Sequence, residues 1–227
     1  MTENKPYIVT IDGPSGSGKG SLALQVARNL GFHVLDSGAI YRLAALKSLQ
    51  LGVDLEQEER VVDALQSLDI RFETGEELII PFLDGQDVSS EIRQESTGEA
   101  ASKIAGYAGL RKHLLGLQQG FFRAPGLVAD GRDMGSVVFP DAKFKFFLYA
   151  SVEIRALRRY KQLISMEMSA NIDELQVEIS ERDERDRNRT ESPLVPATDA
   201  IIVDSSLLDL EQVTELVMSH INETIES

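Results

Sequence analysis

The sequence predicts an α/β fold: a parallel sheet flanked by helices, with one small antiparallel β unit inserted. Three observations carry this. Short β-branched or aromatic runs alternate with stretches of helical period, a glycine-rich turn joins the first strand to the first helix, and residues 69–89 break the alternation with a hairpin texture. Strands separated by helices must be joined by crossovers, which make neighbouring strands parallel and cover both faces of the sheet.

In chain order, Tyr7-Ile-Val-Thr-Ile-Asp12 is a β-branched run ending in glycine, the pattern of a buried strand. Leu22, Ala23, Val26, Ala27 and Leu30 recur at helical spacing, and Gly31 supplies the stop. Phe32–Asp36 predicts a second strand, and 37 to about 68 reads as helical, interrupted around Gly52-Val-Asp54. Ile70-Arg-Phe-Glu73 then alternates, Gly75 punctuates, Leu78-Ile-Ile-Pro-Phe-Leu83 follows, and Asp84-Gly85 is a hairpin turn signal. Helical segments run to about Arg123, and strands return at Leu127-Val-Ala129 and Phe144–Tyr149. A charged helical stretch is expected from Val152 to Arg187, a last strand at Ile201–Val203, and a C-terminal helix with Val213, Leu216, Val217, His220 and Ile221 on one face.

Composition narrows the function. A chain of 227 residues with 42% hydrophobic and 26% charged residues can bury a sizeable core. It has no cysteine, which excludes disulfides, thiolate nucleophiles and cysteine zinc sites and suits a reducing compartment. The N-terminus lacks a basic-then-apolar leader pattern and no apolar run approaches 18 residues, so a cytoplasmic protein is expected. The formal net charge of −14 argues against nucleic acid or an anionic membrane as partner, and a monomer is the default expectation. His33, His113 and His220 do not fall at metal-ligand spacing and read as structural or surface residues. An anionic ligand must therefore find locally concentrated Lys and Arg.

The first such place is Gly13-Pro14-Ser15-Gly16-Ser17-Gly18-Lys19, which fits G-x-x-x-x-G-K directly between a strand and a helix. Backbone N–H groups of such a loop face phosphates, the helix N-terminus adds its dipole, and Lys19 adds a point charge. The fold class thereby sharpens to a P-loop NTPase-like sheet that binds a nucleoside triphosphate such as ATP. Gly20 stands where many such loops carry the hydroxyl that ligates magnesium, and Ser21 follows one position on. The loop thus reads G-K-G-[ST], the form found in nucleoside monophosphate kinases. Mg2+ is expected to ride mainly on the ATP phosphates and water, with Ser21 the protein hydroxyl able to reach it.

The reaction follows from the cations. No Asn-Lys-x-Asp guanine-reading motif is present. A kinase for a hydroxyl needs a positioned base, whereas a phosphate monoester, with a second pKa near about 6, is already largely ionised at neutral pH. Such an acceptor needs several cations, preferably bidentate arginines. The chain offers Arg42 after Ser37-Gly-Ala-Ile-Tyr41, Arg132 within Asp130-Gly-Arg-Asp133, and the run Arg182-Asp-Glu-Arg-Asp-Arg-Asn-Arg189. In that run Arg182, Arg185 and Arg189 share one helical face and Asp186 lies one turn from Arg182. Alone, the run reads equally as a solvated, ion-paired helix. With the other cations at the carboxyl ends of parallel strands, where α/β proteins bind ligands, the functional reading wins. Other small-molecule kinases and a nucleotide-binding regulatory ATPase remain as alternatives.

Four stretches together resemble the bacterial cytidylate kinase family: Ile11-Asp-Gly-Pro-Ser-Gly-Ser-Gly-Lys-Gly20, Leu35-Asp-Ser-Gly-Ala-Ile-Tyr-Arg42, Asp130-Gly-Arg-Asp-Met-Gly-Ser-Val-Val-Phe-Pro-Asp-Ala142, and Glu181–Arg189 followed by Ser192-Pro-Leu194. Ser21 and Ser136 stand where threonine is expected, and both keep a hydroxyl. The resemblance implies transfer of a phosphoryl group from ATP to CMP or dCMP. It implies a core of residues 1–37, 125–157 and 190–227, a monophosphate-binding segment 38–124 with the antiparallel insert at about 69–89, and a helical lid at 158–189. It also implies site residues. Arg42, Arg132 and Arg189 would clamp the CMP phosphate, Ser102, Arg111 and Asp133 would read cytosine, and Arg182 with Asp186 would hold the sugar. Ser37, Tyr41 and Asp130 would complete the pocket. Lys19, Arg132, Arg182 and Arg189 would be the catalytic cations, with Arg158, Arg159, Arg185 and Arg187 as further lid candidates not separable from helix surface. From chemistry alone, a carboxylate such as Asp133 accepts from the cytosine amino group and repels the uracil carbonyl. Tyr41 suits a core or capping role as well as ligand contact.

Overall fold

β1 (Tyr7–Asp12) is central to a five-stranded parallel sheet of order β2-β6-β1-β7-β8, formed with β2 (His33–Asp36), β6 (Gly126–Gly131), β7 (Phe144–Tyr149) and β8 (Ile201–Asp204). The computed structural model describes residues 6–66, 68–74, 79–165 and 167–226. The register aligns Asp12 with Gly131 and with Phe147, so β1 and β6 end together, β7 runs two residues farther, and the residues that follow them reach one rim.

The chain clusters into two units, Met1–Leu35 with Gly120–Ser227, and Asp36–Gln119. In the first, Val9, Ile11, Val128, Phe146 and Leu148 of the sheet are packed against Leu22 and Val26 of α1 (Lys19–Leu30) and Val213, Val217 and Ile221 of the C-terminal helix. Each of these side chains contributes about 1.5–3 kcal/mol by leaving water. Gly31, in the left-handed region at φ 69°, ends α1 while its N–H bonds the carbonyls of Ala27 and Arg28.

The charged stretch expected as one helix is two, α6 (Val152–Ser165) and α7 (Ile172–Asn188). Asn171 starts the second by accepting from the Asp173 N–H at 3.0 Å, with Asp173 and Glu174 complementing the helix dipole. Ala156, Leu175 and Ile179 form the small core that joins the two. The C-terminal helix, α8 (Leu210–Glu226), departs from expectation at Leu216, which is 44% exposed; Thr214 takes its place beside the buried Val213, Val217 and Ile221.

The second unit holds α2 (Ser37–Gln50), α3 (Glu58–Ala64), α4 (Glu95–Ile104) and α5 (Ala108–Gln119) with a separate antiparallel sheet. That sheet comprises β3 (Ile70–Thr74), β4 (Ile79–Leu83) and β5 (Gln86–Asp87). Asp84 (φ 50°) and Gly85 (φ 79°) form the predicted tight turn between β4 and β5, while Gly75 and Leu78 lie outside the described residues. Ala39, Leu43 and Leu46 of α2 pack on Leu83, Val88 and Ile92. α2 begins directly after β2 because the Asp36 carboxylate accepts from the Ala39 N–H at 2.9 Å.

Candidate active site

The glycine-rich loop is held by its carbonyls. Lys19 Nζ and Ser17 Oγ donate to the Pro14 carbonyl at 2.7 and 3.0 Å, Arg155 Nη1 to the Ser15 carbonyl at 2.9 Å, and Arg158 Nη1 to the Ser17 carbonyl at 3.1 Å. With these carbonyls tied, the peptide planes are fixed and the loop's N–H groups are what remains for an anion. Gly13 is obligatory: at φ +149° an added Cβ would sit 2.1 Å from the Leu148 carbonyl oxygen. Gly20 and Ser21 lie exposed on the first turn of α1. Beside the loop, Ser17, Gly18, Ser21, Arg158, Ser205 and Leu208 contribute to the lining of a cavity of about 190 Å³.

Lys19 is 6% exposed at the start of α1. Burial and the neighbouring Arg132 push its pKa down to about 7, against the pull of Asp130 and Asp12, while Arg182 pushes further down. Asp12, at the end of β1, is buried, which raises its carboxyl to about 6 although two amides donate to it. Those donors are the Met134 and Gly135 N–H groups, each at 2.8 Å, on the two oxygens. Asp12 thus grips the turn that follows Arg132 and Asp133.

α7 turns a polar face toward the same rim. Arg132 Nε donates to Asp186 Oδ2 at 2.9 Å, and Arg189 Nη1 lies 3.9 Å from Asp186 Oδ1. Burial opposes the Asp186 charge, but Arg132, Arg182 and Arg189 together hold its carboxyl below the ordinary range. In the first unit the structure therefore brings together Lys19, Asp130, Arg132, Arg182, Asp186 and Arg189, with Asp133 buried at 2% exposure. Asp130 lies within β6, which runs two residues beyond the expected strand.

Arg185 does not join them. It is exposed with Glu181, Glu184 and Asn188, because Asp183 and Asp186 occupy the inward positions of α7, with Arg182 and the C-cap Arg189 partly buried beside Asp186. Arg187 is 56% exposed, and Arg159 donates to Gln162 on its own helix. Arg158 instead turns inward, donating to Ser205 and to the carbonyls of Ser17 and Leu208.

In the second unit, Arg42 Nη1 donates to the Ile92 carbonyl at 2.5 Å and its guanidinium lies against Gly98, where a Cβ would come within 2.9 Å. Arg111 Nη1 donates to the Ala105 carbonyl at 3.0 Å, and its Cζ stands 5.6 Å from the centre of the Tyr41 ring. Ser37 Oγ donates to Gln118 Oε1 at 2.7 Å. Ser102 Oγ is buried with no hydrogen-bond partner among the described residues. His33 and His113 bond backbone carbonyls and His220 packs edge-on to Phe146, all structural roles.

Sequence reasoning missed Asp12, Arg155, Asp183 and Ser205. Arg155 and Asp183 carry no local mark, since both sit in a charged stretch that reads as solvated surface. Asp12 carried a faint one, as a carboxylate closing a buried apolar strand just before the loop.

A parallel sheet, a loop with a buried lysine and an arginine–carboxylate cluster at one rim define a phosphate-loop phosphotransferase. The family model for cytidylate kinase matches residues 9–223. A cytidylate kinase of Photobacterium profundum is 50% identical over 226 residues, covering 100% of this chain and 99% of that one. Those of Vibrio vulnificus (strain YJ016) and Klebsiella pneumoniae (strain 342) are 50% and 49% identical, covering 97% and 99% of this chain and 97% and 99% of theirs. The chain belongs to the cytidylate kinase family and is a kinase.

Proposed function

We propose that the protein transfers the γ-phosphoryl group of ATP to CMP or dCMP, giving CDP or dCDP. One observation carries this beyond kinship: in a protein of net charge −14, the partly buried guanidinium groups of Arg132, Arg182 and Arg189 gather around one buried carboxylate beside the loop lysine. The reaction asks the protein to hold two polyanions in line and to neutralise charge on the transferring phosphoryl group, and such a cluster supplies those cations.

The triphosphate lies on Gly13–Ser21 with Lys19 at its terminal phosphates, and the adenosine half enters the cavity beside Ser17 and Arg158. Arg42, Arg132 and Arg189 grip the acceptor phosphate. Asp133 accepts from the cytosine amino group, Arg111 donates to its ring acceptors, and Arg182 with Asp186 holds the sugar. The buried Ser102 hydroxyl supports a ligand role, because an unsatisfied polar atom costs about 1–3 kcal/mol until a partner arrives. Ser37, Tyr41 and Asp130 frame the pocket. No base is required, since the acceptor oxygen arrives ionised, and residues 158–189 act as a lid that closes over the transferring group and excludes water.

Magnesium fits this donor set as an ion carried chiefly by the nucleotide. Asp12 commits both oxygens to backbone amides, no group of three or more His, Cys, Asp or Glu among the described residues could hold an ion, and Ser21 offers an exposed hydroxyl at the loop. When bound, it supplies charge neutralisation between phosphates.

The test is a substrate panel of ATP–magnesium with CMP, dCMP, UMP, AMP and no acceptor, following ADP release. Fast turnover confined to the cytidine nucleotides is expected. Slow hydrolysis indifferent to acceptor would instead select an ATPase.

A further inference from the structure

Arg155 is the largest fully buried side chain among the described residues, 1% exposed, and neither the loop motif nor the arginine cluster includes it. It makes four hydrogen bonds to three segments. Nε donates to the Ala150 carbonyl just past β7 at 2.9 Å, Nη1 to the Ser15 carbonyl of the phosphate loop at 2.9 Å and to Asp183 Oδ1 at 3.0 Å, and Nη2 to Asp183 Oδ2 at 2.5 Å. Asp183 is itself 1% exposed, on α7 between Arg182 and Asp186, with Arg187 3.7 Å away on the solvent side. The loop accommodates this side chain through Gly16, whose Cβ, if present, would stand 3.3 Å from Arg155 Cβ.

A buried ion pair is a poor device for stability, since an apolar pair of similar volume often does as well or better. What a bidentate guanidinium–carboxylate fork does supply is fixed geometry. Here that geometry relates the loop that carries Lys19 to the helix turn that carries Arg182, Asp186 and Arg189.

We propose that Arg155 and Asp183 are positioning residues for phosphoryl transfer, a buried clamp setting the α7 arginines in register with the phosphate loop. The inference rests on the phosphotransfer reading above. The pair touches neither reactant; it acts through the peptide of Ser15 and the turn of α7. A misplacement of about 1 Å at reacting groups costs about 100-fold in rate, so kcat is where its loss appears.

The experiment compares wild type, Arg155→Met/Asp183→Leu and Arg155→Lys for thermal midpoint, kcat and both KM values. The double variant replaces the pair by apolar side chains and removes the donor to the Ala150 and Ser15 carbonyls, so it is expected to fold with a modestly lowered midpoint while kcat falls about 100-fold. A folded double variant whose kcat falls by less than about tenfold overturns the proposal and leaves the pair a packing feature. Should the double variant fail to fold, Arg155→Lys decides. It keeps a cation opposite Asp183 but loses the fork and the Ser15 bond, and a loss of kcat of about tenfold or more at unchanged midpoint supports the clamp, while a smaller loss overturns it. A wild-type protein inactive toward CMP and dCMP would refute the phosphotransfer reading, a result distinct from either.

Discussion

Changing pH titrates Lys19 where a loop lysine would ordinarily stay charged. Its pKa stands at about 7 against an unperturbed 10.5, chiefly through burial and then through Arg132. Around neutral pH a substantial share of the free molecules therefore lacks that charge, and the share grows as pH rises. A triphosphate on the loop restores it, so ATP binding should take up a fraction of a proton near pH 7, and affinity should fall severalfold, by at most about tenfold, from pH 7 to 8. The same depressed pKa makes the free protein lose stability as pH falls from 10.5 toward 7, because the folded state resists the proton the unfolded chain accepts. Calorimetric titration of ATP–magnesium in buffers of different ionisation enthalpy reads the proton directly. Lys19→Met, which keeps length without charge, subtracts the nucleotide's own protons. Equal uptake in wild type and variant, or an ATP affinity flat between pH 7 and 8, would refute the reasoning.

Asp12 titrates oppositely: its folded pKa of about 6 lies above the unfolded 3.8, so its contribution is full below 3.8 and lost as pH rises through 6. Denaturant unfolding of wild type and Asp12→Asn across this window should differ by a changing amount, up to about 3 kcal/mol, and a constant difference would contradict the assignment. Asp133→Asn should narrow the preference for CMP over UMP by roughly 10- to 100-fold in kcat/KM, and an unchanged ratio would remove Asp133 from base reading. Ser102→Ala should raise the KM for CMP while leaving the free protein as stable or slightly more so, since it deletes an unsatisfied buried hydroxyl; lost stability with unchanged KM would make Ser102 structural.

The elements most legible in the sequence were those whose signals are local. β7 was bounded correctly because an aromatic, alternating run sits between turns, and the β4–β5 turn because Asp84-Gly85 is a strong backbone preference. The break between α6 and α7 has neither glycine nor proline, but Asn171 followed by Asp173 and Glu174 was an available start signal. Spacing put Arg182, Arg185 and Arg189 on one face, yet an arc that wide does not say which part turns inward. Burial of Asp183 and Asp186, decided by partners elsewhere in the chain, excluded Arg185. The same limit hid the clamp and the Asp12 grip. Arg155 meets Asp183 across 28 residues and Asp12 meets Met134 across 122, and no local preference encodes such pairings. Arg158 differed again: its acceptors are a hydroxyl and carbonyls, so no charge pattern announced it.

The most direct measurement follows the phosphoryl group itself. The protein would be incubated with ATP labelled in its γ-phosphate, magnesium and equimolar CMP and UMP, and the labelled products separated. The label is expected in the β-phosphate of CDP, with little in UDP or inorganic phosphate. Label recovered mainly as inorganic phosphate, or shared equally between CDP and UDP, would contradict a cytidylate kinase.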